Sequence, residues 1–344
     1  MKELHFNDYP LKVFGAPLFD SDQPFSRLPD FVAEKINKTA AGYSKRCPGA
    51  RLAFRTNAKE FKIKAKLKTL SLDLGMSVYQ CQSFMVLIGD RTKDPVYCGN
   101  VVPKDYENKE FEKVIKNPFD SGEISDVLIF LPRNEVIEDI SVVFEDGDII
   151  EPPTPYLPIK PVLYYGSSIT EGACASIMNG YNAIISNHLN IDYYNFGFSG
   201  SCRGEIELAE FFGTLDISLF VFDYDHNASN AFALENTHEI FFKKFRALKP
   251  DIPVIMMSMP AAVYTEENKK RREVIKKTFL NALNSGDKNV YFIDGEKHYG
   301  EVDRNLCSVD GIHPNDLGFY RMAKNVEPVI KKALDNTIRI QRFS

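Results

Sequence analysis

Much that would place this 344-residue chain in other protein classes is missing from it. No run of about 18 apolar residues occurs, so no membrane-spanning helix and no membrane partner are expected. Met1-Lys2-Glu3-Leu4-His5 passes straight into mixed polar sequence; a secretory signal is not expected and a cytoplasmic location is. No polybasic patch stands out, because 42 basic and 47 acidic residues are well mixed and leave a net charge of −5. A nucleic-acid partner or an anionic lipid surface is therefore not expected either. Cys47, Cys81, Cys98, Cys174, Cys202 and Cys307 form no Cys-x-x-Cys pair, which argues against a zinc ribbon or a thioredoxin-type motif and for reduced thiols. Cys174 and Cys202 each follow a glycine-rich turn, so the topology could bring them near each other. Asp225-His226 has no third ligand at helical spacing, so no metal and no cofactor are expected. Internal repeats and low-complexity tracts are absent as well.

What is present divides in two. With 44% hydrophobic residues the chain has enough apolar material for two modest cores, and single cores usually stop growing below about 250–300 residues. Residues 1–150 read as β. Phe61, Ile63, Ala65 and Leu67 alternate with lysines, and Ile140, Val142 and Phe144 alternate with mostly polar residues. Val127, Ile129 and Leu131 do so against partly apolar neighbours. That period suits half-buried antiparallel strands, and a β-sandwich is the natural way to cover them. Residues 151–161 carry prolines 152, 153, 155, 158 and 161 and read as an extended, semi-rigid linker. From 162 to 344 the pattern changes. Val162–Tyr165, Tyr193–Phe196, Leu219–Phe222, Val254–Met257 and Val290–Ile293 are short apolar runs. Between them Glu205–Phe212, Leu234–Leu248, Lys269–Leu283 and Leu317–Leu334 have helical spacing. Such alternation predicts a five-stranded parallel sheet with helices on both faces.

In open α/β sheets reacting groups gather beyond the carboxyl ends of the strands. There the sequence puts Gly166-Ser167-Ser168-Ile169-Thr170-Glu171-Gly172, Gly197-Phe198-Ser199-Gly200-Ser201, Asp223-Tyr224-Asp225-His226-Asn227 and, before the last helix, Asp310-Gly311-Ile312-His313-Pro314. Serine needs an adjacent base to become a nucleophile, and an imidazole such as His313 can serve. Asp310 is spaced to hold the other ring nitrogen, and Pro314 suits the first turn of the following helix. Gly200 offers an unobstructed N–H and Asn227 an amide to an oxyanion. Thr170 stands where Gly-x-Ser-x-Gly needs its second glycine, so an α/β-hydrolase elbow is disfavoured.

These four blocks, in this order, resemble the SGNH (GDSL-type) hydrolases. Ala53-Phe54-Arg55-Thr56-Asn57 and Phe130-Leu131-Pro132-Arg133-Asn134-Glu135-Val136 are similar to the β-domain that precedes the hydrolase domain in one bacterial branch. The resemblance implies a three-layer flavodoxin-like domain behind a jelly-roll-like β-sandwich. It implies Ser168 as nucleophile, His313 and Asp310 as its partners, and Ser168, Gly200 and Asn227 as oxyanion donors. Ser167 stands where the family has aspartate, so the choice between Ser167 and Ser168 rests on register. The third block replaces the usual Gly-x-Asn-Asp.

Each sharp reading has a plainer one. Ser168 could cap a helix, Asp310 could be a turn residue, and His313 a solvated loop histidine. Arg203 and Glu205 could contact substrate, or form a surface ion pair at a helix start. His188, His238 and His298 read as structural. The leading expectation is a carbohydrate esterase that removes a short acyl group, acetyl above all, from a small-molecule or oligosaccharide ester. The rivals are a lipid-type or thioester acylhydrolase and a non-catalytic glycan-binding protein; a homo-oligomer is left open.

Overall fold

The computed structural model describes residues 1–73, 75–119 and 122–343, the side chains of 336–343 excepted. Ten strands come first: β1 (Lys2–His5), β2 (Lys12–Phe14), β3 (Arg51–Thr56), β4 (Glu60–Leu67), β5 (Phe84–Ile88), β6 (Val96–Val101), β7 (Glu110–Lys116), β8 (Ser125–Phe130), β9 (Ile137–Phe144) and β10 (Ile150–Glu151). Three short helices interrupt them, α1 (Asp30–Ala33), α2 (Lys38–Tyr43) and α3 (Val78–Cys81). The strands form two antiparallel sheets, β1-β9-β4-β7 and β10-β3-β8-β5-β6, with β2 beside β3. The alternation in β4 becomes burial: Phe61, Ile63, Ala65 and Leu67 are inside while the lysines between them are half-exposed. These residues meet Phe54, Phe84, Val86, Val127 and Ile129 of the other sheet, which makes a sandwich core. Phe54 touches the Phe61 and Phe144 rings edge-on at 5.5 and 5.4 Å.

β5 and β8 are buried on both faces. Phe84, Val86, Val127 and Ile129 enter the sandwich core. Met85, Leu87, Leu128 and Phe130 face the other way, into the core of the second half. This is why apolar residues follow one another without a break in these two strands.

The second half carries β11 (Val162–Gly166), β12 (Tyr193–Gly197), β13 (Leu219–Asp223), β14 (Val254–Met257) and β15 (Val290–Ile293). They pair in parallel in the order β12-β11-β13-β14-β15, the flavodoxin-like 2-1-3-4-5 arrangement. The helices are α4 (Ser168–Glu171), α5 (Tyr181–Leu189), α6 (Ile206–Thr214), α7 (Ala231–Glu235), α8 (His238–Leu248), α9 (Glu266–Asn284) and α10 (Asp316–Phe343). Val162, Tyr164, Val221 and Ile255 pack with α5 and α10 on one face. Leu163, Tyr165, Phe220, Phe222 and Met256 pack with α6, α8 and α9 on the other. No helix among the described residues is long and apolar enough to cross a membrane.

Two helical expectations need correction. Leu234–Leu248 is two helices rather than one. The break falls at Asn236-Thr237, where the Thr237 hydroxyl donates back to the carbonyls of Ala233 and Leu234 and competes with the helix. Pro314 lies outside α10; Asn315 caps that helix by accepting from the Gly318 N–H at 3.1 Å, and Pro314 bridges to Ser308.

The proline-rich stretch is held at Tyr156. Its ring is buried, meets Phe14 edge-on at 4.8 Å, and lies under the Arg91 guanidinium at 4.0 Å. Nearby, Arg51 is fully buried, stacks on Tyr193 at 4.4 Å and pairs with Asp192. All six cysteines are free thiols.

Candidate functional site

The site begins with three neighbouring strand ends. Gly166 of β11 pairs with Gly197 of β12 on one side and with Asp223 of β13 on the other, so the loops after all three leave the same edge. They are pressed together. A Cβ on Gly166 would lie 1.9 Å from the Asp223 carbonyl oxygen and 2.0 Å from the Thr170 hydroxyl. One on Gly197 would lie 2.3 Å from the Glu171 nitrogen. Only glycine permits that approach.

Of the two adjacent serines, Ser167 turns inward and caps α4, accepting from the Ile169 N–H at 3.1 Å. Ser168 is the first residue of that helix, and its Oγ lies 2.9 Å from His313 Nε2. On the other side of the ring, Nδ1 lies 2.7 Å from Asp310 Oδ2. Asp310 Oδ1 also accepts the backbone N–H groups of Ile312 and His313, at 2.9 and 2.7 Å. The loop is closed behind them by the Val309 N–H, which donates to the His313 carbonyl. Partial burial of the Asp310 carboxyl opposes its charge, but the hydrogen bonds from His313 and Ile312 outweigh this and hold it below the usual carboxylate range.

The expected oxyanion donors lie in the flanking loops. The Ser168 N–H is at the first turn of α4, where no intrahelical acceptor exists. Gly200 is exposed with φ +63°, and its carbonyl accepts from Arg203 at 3.2 Å. Asn227 accepts the Cys202 N–H on Oδ1 at 3.2 Å, which orients the amide and leaves Nδ2 without an acceptor among the described residues. Arg203 also donates to the Asn227 carbonyl, so its guanidinium ties the second and third loops to each other. Glu205 accepts from the Asn37 amide at 2.5 Å and from the Arg203 N–H at 3.2 Å, at the start of α6. Both side chains are thus engaged with the protein.

Around this chain of groups the charges are muted. Burial, with Arg271 also near it, pushes His226 down to about 4, and its Nδ1 sits 3.3 Å from Met259 Sδ. Burial pushes Asp225 up to about 6, although its Oδ2 accepts the Met259 N–H. Burial, reinforced by Asp225, raises the Asp223 carboxyl well above its ordinary value; the Thr170 and Tyr181 hydroxyls bond its Oδ2 at 2.9 and 3.0 Å.

Three further residues were given no role from the sequence, although Glu171 and Arg133 lie in the motif-bearing stretches: Glu171, Arg27 and Arg133, all buried beside the first two loops. Charged residues so far apart in the chain carry no spacing signal. Met76, Gln80 and Arg133 of the first half bond residues 172–175, just after α4. The first half therefore touches the serine turn.

Residues 159–331 match the GDSL-like lipase/acylhydrolase family, and residues 4–150 match the N-terminus of SGNH hydrolase-type esterases. No curated protein matched the chain. A protein described as a GDSL-like lipase from Bacteroides ovatus is similar over 97% of this chain and 98% of its own, at 24% identity and a TM-score of 0.86. A salicylyl-acyltransferase from a tetracycline biosynthetic pathway is similar over 96% and 97%, at 18% identity and a TM-score of 0.77. A family two carbohydrate esterase from Clostridium thermocellum, solved with cellohexaose, is similar over 84% and 93%, at 15% identity and a TM-score of 0.61. At these identities the likeness concerns the fold.

Proposed function

The chain belongs to the GDSL-like lipase/acylhydrolase family and is an ester hydrolase, and from that premise we propose that Ser168 attacks, His313 takes its proton and Asp310 orients the imidazole. One observation carries this reading: Ser168 Oγ, the two ring nitrogens of His313 and Asp310 Oδ2 form an unbroken chain of 2.9 and 2.7 Å contacts. Attack on the ester carbonyl creates an oxyanion that the N–H groups of Ser168 and Gly200 and the Asn227 amide receive. One such donor is worth roughly 2.7–4 kcal/mol in the transition state. His313 then returns the proton to the leaving alcohol, and water releases the acyl group by the same steps in reverse order.

The alcohol is, in this proposal, a sugar hydroxyl and the acyl group acetyl. The support is the fold shared with family two carbohydrate esterases, together with the matching N-terminal segment. A second reading, an acylhydrolase for longer chains, draws on a different observation. Val302, Leu306, Val309 and Ile312, in and just before the loop that holds Asp310 and His313, are all exposed.

A series of p-nitrophenyl esters from acetate to palmitate, followed by acetylated oligosaccharides, separates the two readings. Preference for acetate and release of acetate from the oligosaccharides support the first; a maximum at eight carbons or more supports the second. Ser168→Ala should lower turnover by several orders of magnitude and Ser167→Ala should keep most of it. The reverse result would transfer the nucleophile to Ser167.

A further inference from the structure

Resting on that assignment of Ser168, we infer that Glu171 is a positioning residue that fastens the Gly200 donor to the nucleophile's own helical turn, braced by Arg27 and Arg133 from the first half of the chain. Glu171 is the last residue of α4 and only 5% exposed. Its Oε2 accepts two hydrogen bonds from Ser199, from the backbone N–H at 3.1 Å and from the hydroxyl at 2.5 Å. Ser199 directly precedes Gly200. One carboxylate therefore joins the turn that carries Ser168 to the turn that offers the neighbouring N–H.

A buried carboxylate is unfavourable unless cations stand near it. Arg27 and Arg133 are 0% and 2% exposed, and Glu171 is the leading charge that offsets the burial of each. Several of their hydrogen bonds go to backbone carbonyls at the two ends of the Glu171–Ser199 link, and Arg133 also reaches Met76 Sδ. Arg133 holds Gly172, the residue after Glu171, and also Gln80 and Ala175. Arg27 holds Asn195 at 3.1 Å and Gly197 at 2.5 Å, just before Ser199, and also Tyr43 and Arg46. Gly197 completes the arrangement, since any side chain there would strike the Glu171 backbone. Gly200 itself sits in an exposed turn with open space where a Cβ would be. A donor to an oxyanion must be in place before charge develops. Phe198, Ser201 and Cys202 are buried and Arg203 holds the Gly200 carbonyl; the link from Ser199 to Glu171 adds fixity at the residue directly before the exposed Gly200.

The test uses the full-length protein with p-nitrophenyl acetate, and a boronic acid that forms a tetrahedral adduct on the nucleophile. Ser199→Ala should lower kcat by ~10–100-fold, part of the loss seen when a donor is removed outright, with KM within about twofold. Boronate affinity should fall in step with kcat/KM, the melting temperature should hold, and Ser199→Thr, which restores the hydroxyl, should recover most of the activity. Glu171→Gln should fall between wild type and Ser199→Ala; if it does not fold, the half-buried Ser199 decides the matter alone. A folded Ser199→Ala with unchanged kcat, or with a raised KM alone, overturns the positioning role. Ser168→Ala runs in parallel: activity surviving there sinks the nucleophile assignment, whereas its loss beside an unaffected Ser199→Ala sinks only the role of Glu171.

Discussion

Asp310 accepts three N–H groups while standing about half exposed, with its side chain at 47% of full accessibility. Its work is done by direction more than by burial. Asp310→Asn keeps the shape but can offer an N–H where the imidazole needs an acceptor, so ester hydrolysis should fall ~10²–10⁴-fold with the melting temperature little changed. Steady-state kinetics on a folded variant checks this; near-normal activity would mean that another group orients His313. At this scale the sequence was most informative where chemistry is local. Asp310 and His313 sit in one loop, and their spacing alone proposes the contact. Ser167 and Ser168 could not be separated by composition, because the difference is which one caps α4, and that depends on where the helix starts. Arg203 and Glu205 were visible as charges, but their bonds to Gly200, Asn227 and Asn37 depend on loops that only the fold brings together.

Among elements, β13 ends in a buried acid. The Asp223 carboxyl has its pKa raised by burial, so the folded state keeps a proton that the unfolded chain gives up above about pH 4. Its contribution to stability is therefore full below that pH and is lost as the pH rises towards the folded value. Asp223→Asn removes this titration. Urea unfolding should show the variant more stable than wild type at pH 7.5, with the gap shrinking by pH 4.5; an equal gap at both values would refute the buried neutral acid. Elements were legible in proportion to how one-sided they are. β4, with lysines on one face, announces its period. β8 read as an alternating strand with partly apolar neighbours and β5 was not singled out, because their apolar runs hide that one sheet serves two cores. α5 was not anticipated, since Tyr181-Asn182-Ala183-Ile184-Ile185-Ser186-Asn187 mixes buried polar with buried apolar residues and shows no clean stripe.

For the whole molecule, the face formed by Phe14, Met85, Leu87 and Phe130 packs into the same cluster as Val162, Tyr164 and Tyr193. Residues 162–344 expressed alone would expose that cluster and lose Arg27 and Arg133 from the loops around Ser168. Near-UV circular dichroism of the fragment should show no fixed tertiary packing; a native-like spectrum with full esterase activity would show that the first half is dispensable. Sequence alone gave the two halves as joined by a linker, and the way they adhere could not be read from it, because Arg27 and Arg133 bond carbonyls, which every residue has. The anchoring of Tyr156 between Phe14 and Arg91 bears on covalent continuity. Just beyond that anchor, Leu157, Pro158 and Lys160 are exposed, so a specific protease site can be inserted there, since Pro158 and Pro161 shield the native bonds. A single cut there should give two bands on a denaturing gel but one peak of unchanged size in gel filtration, still hydrolysing ester. Once folded, the two halves are held by their shared packing, so the peptide bond between them could be broken without loss of the enzyme.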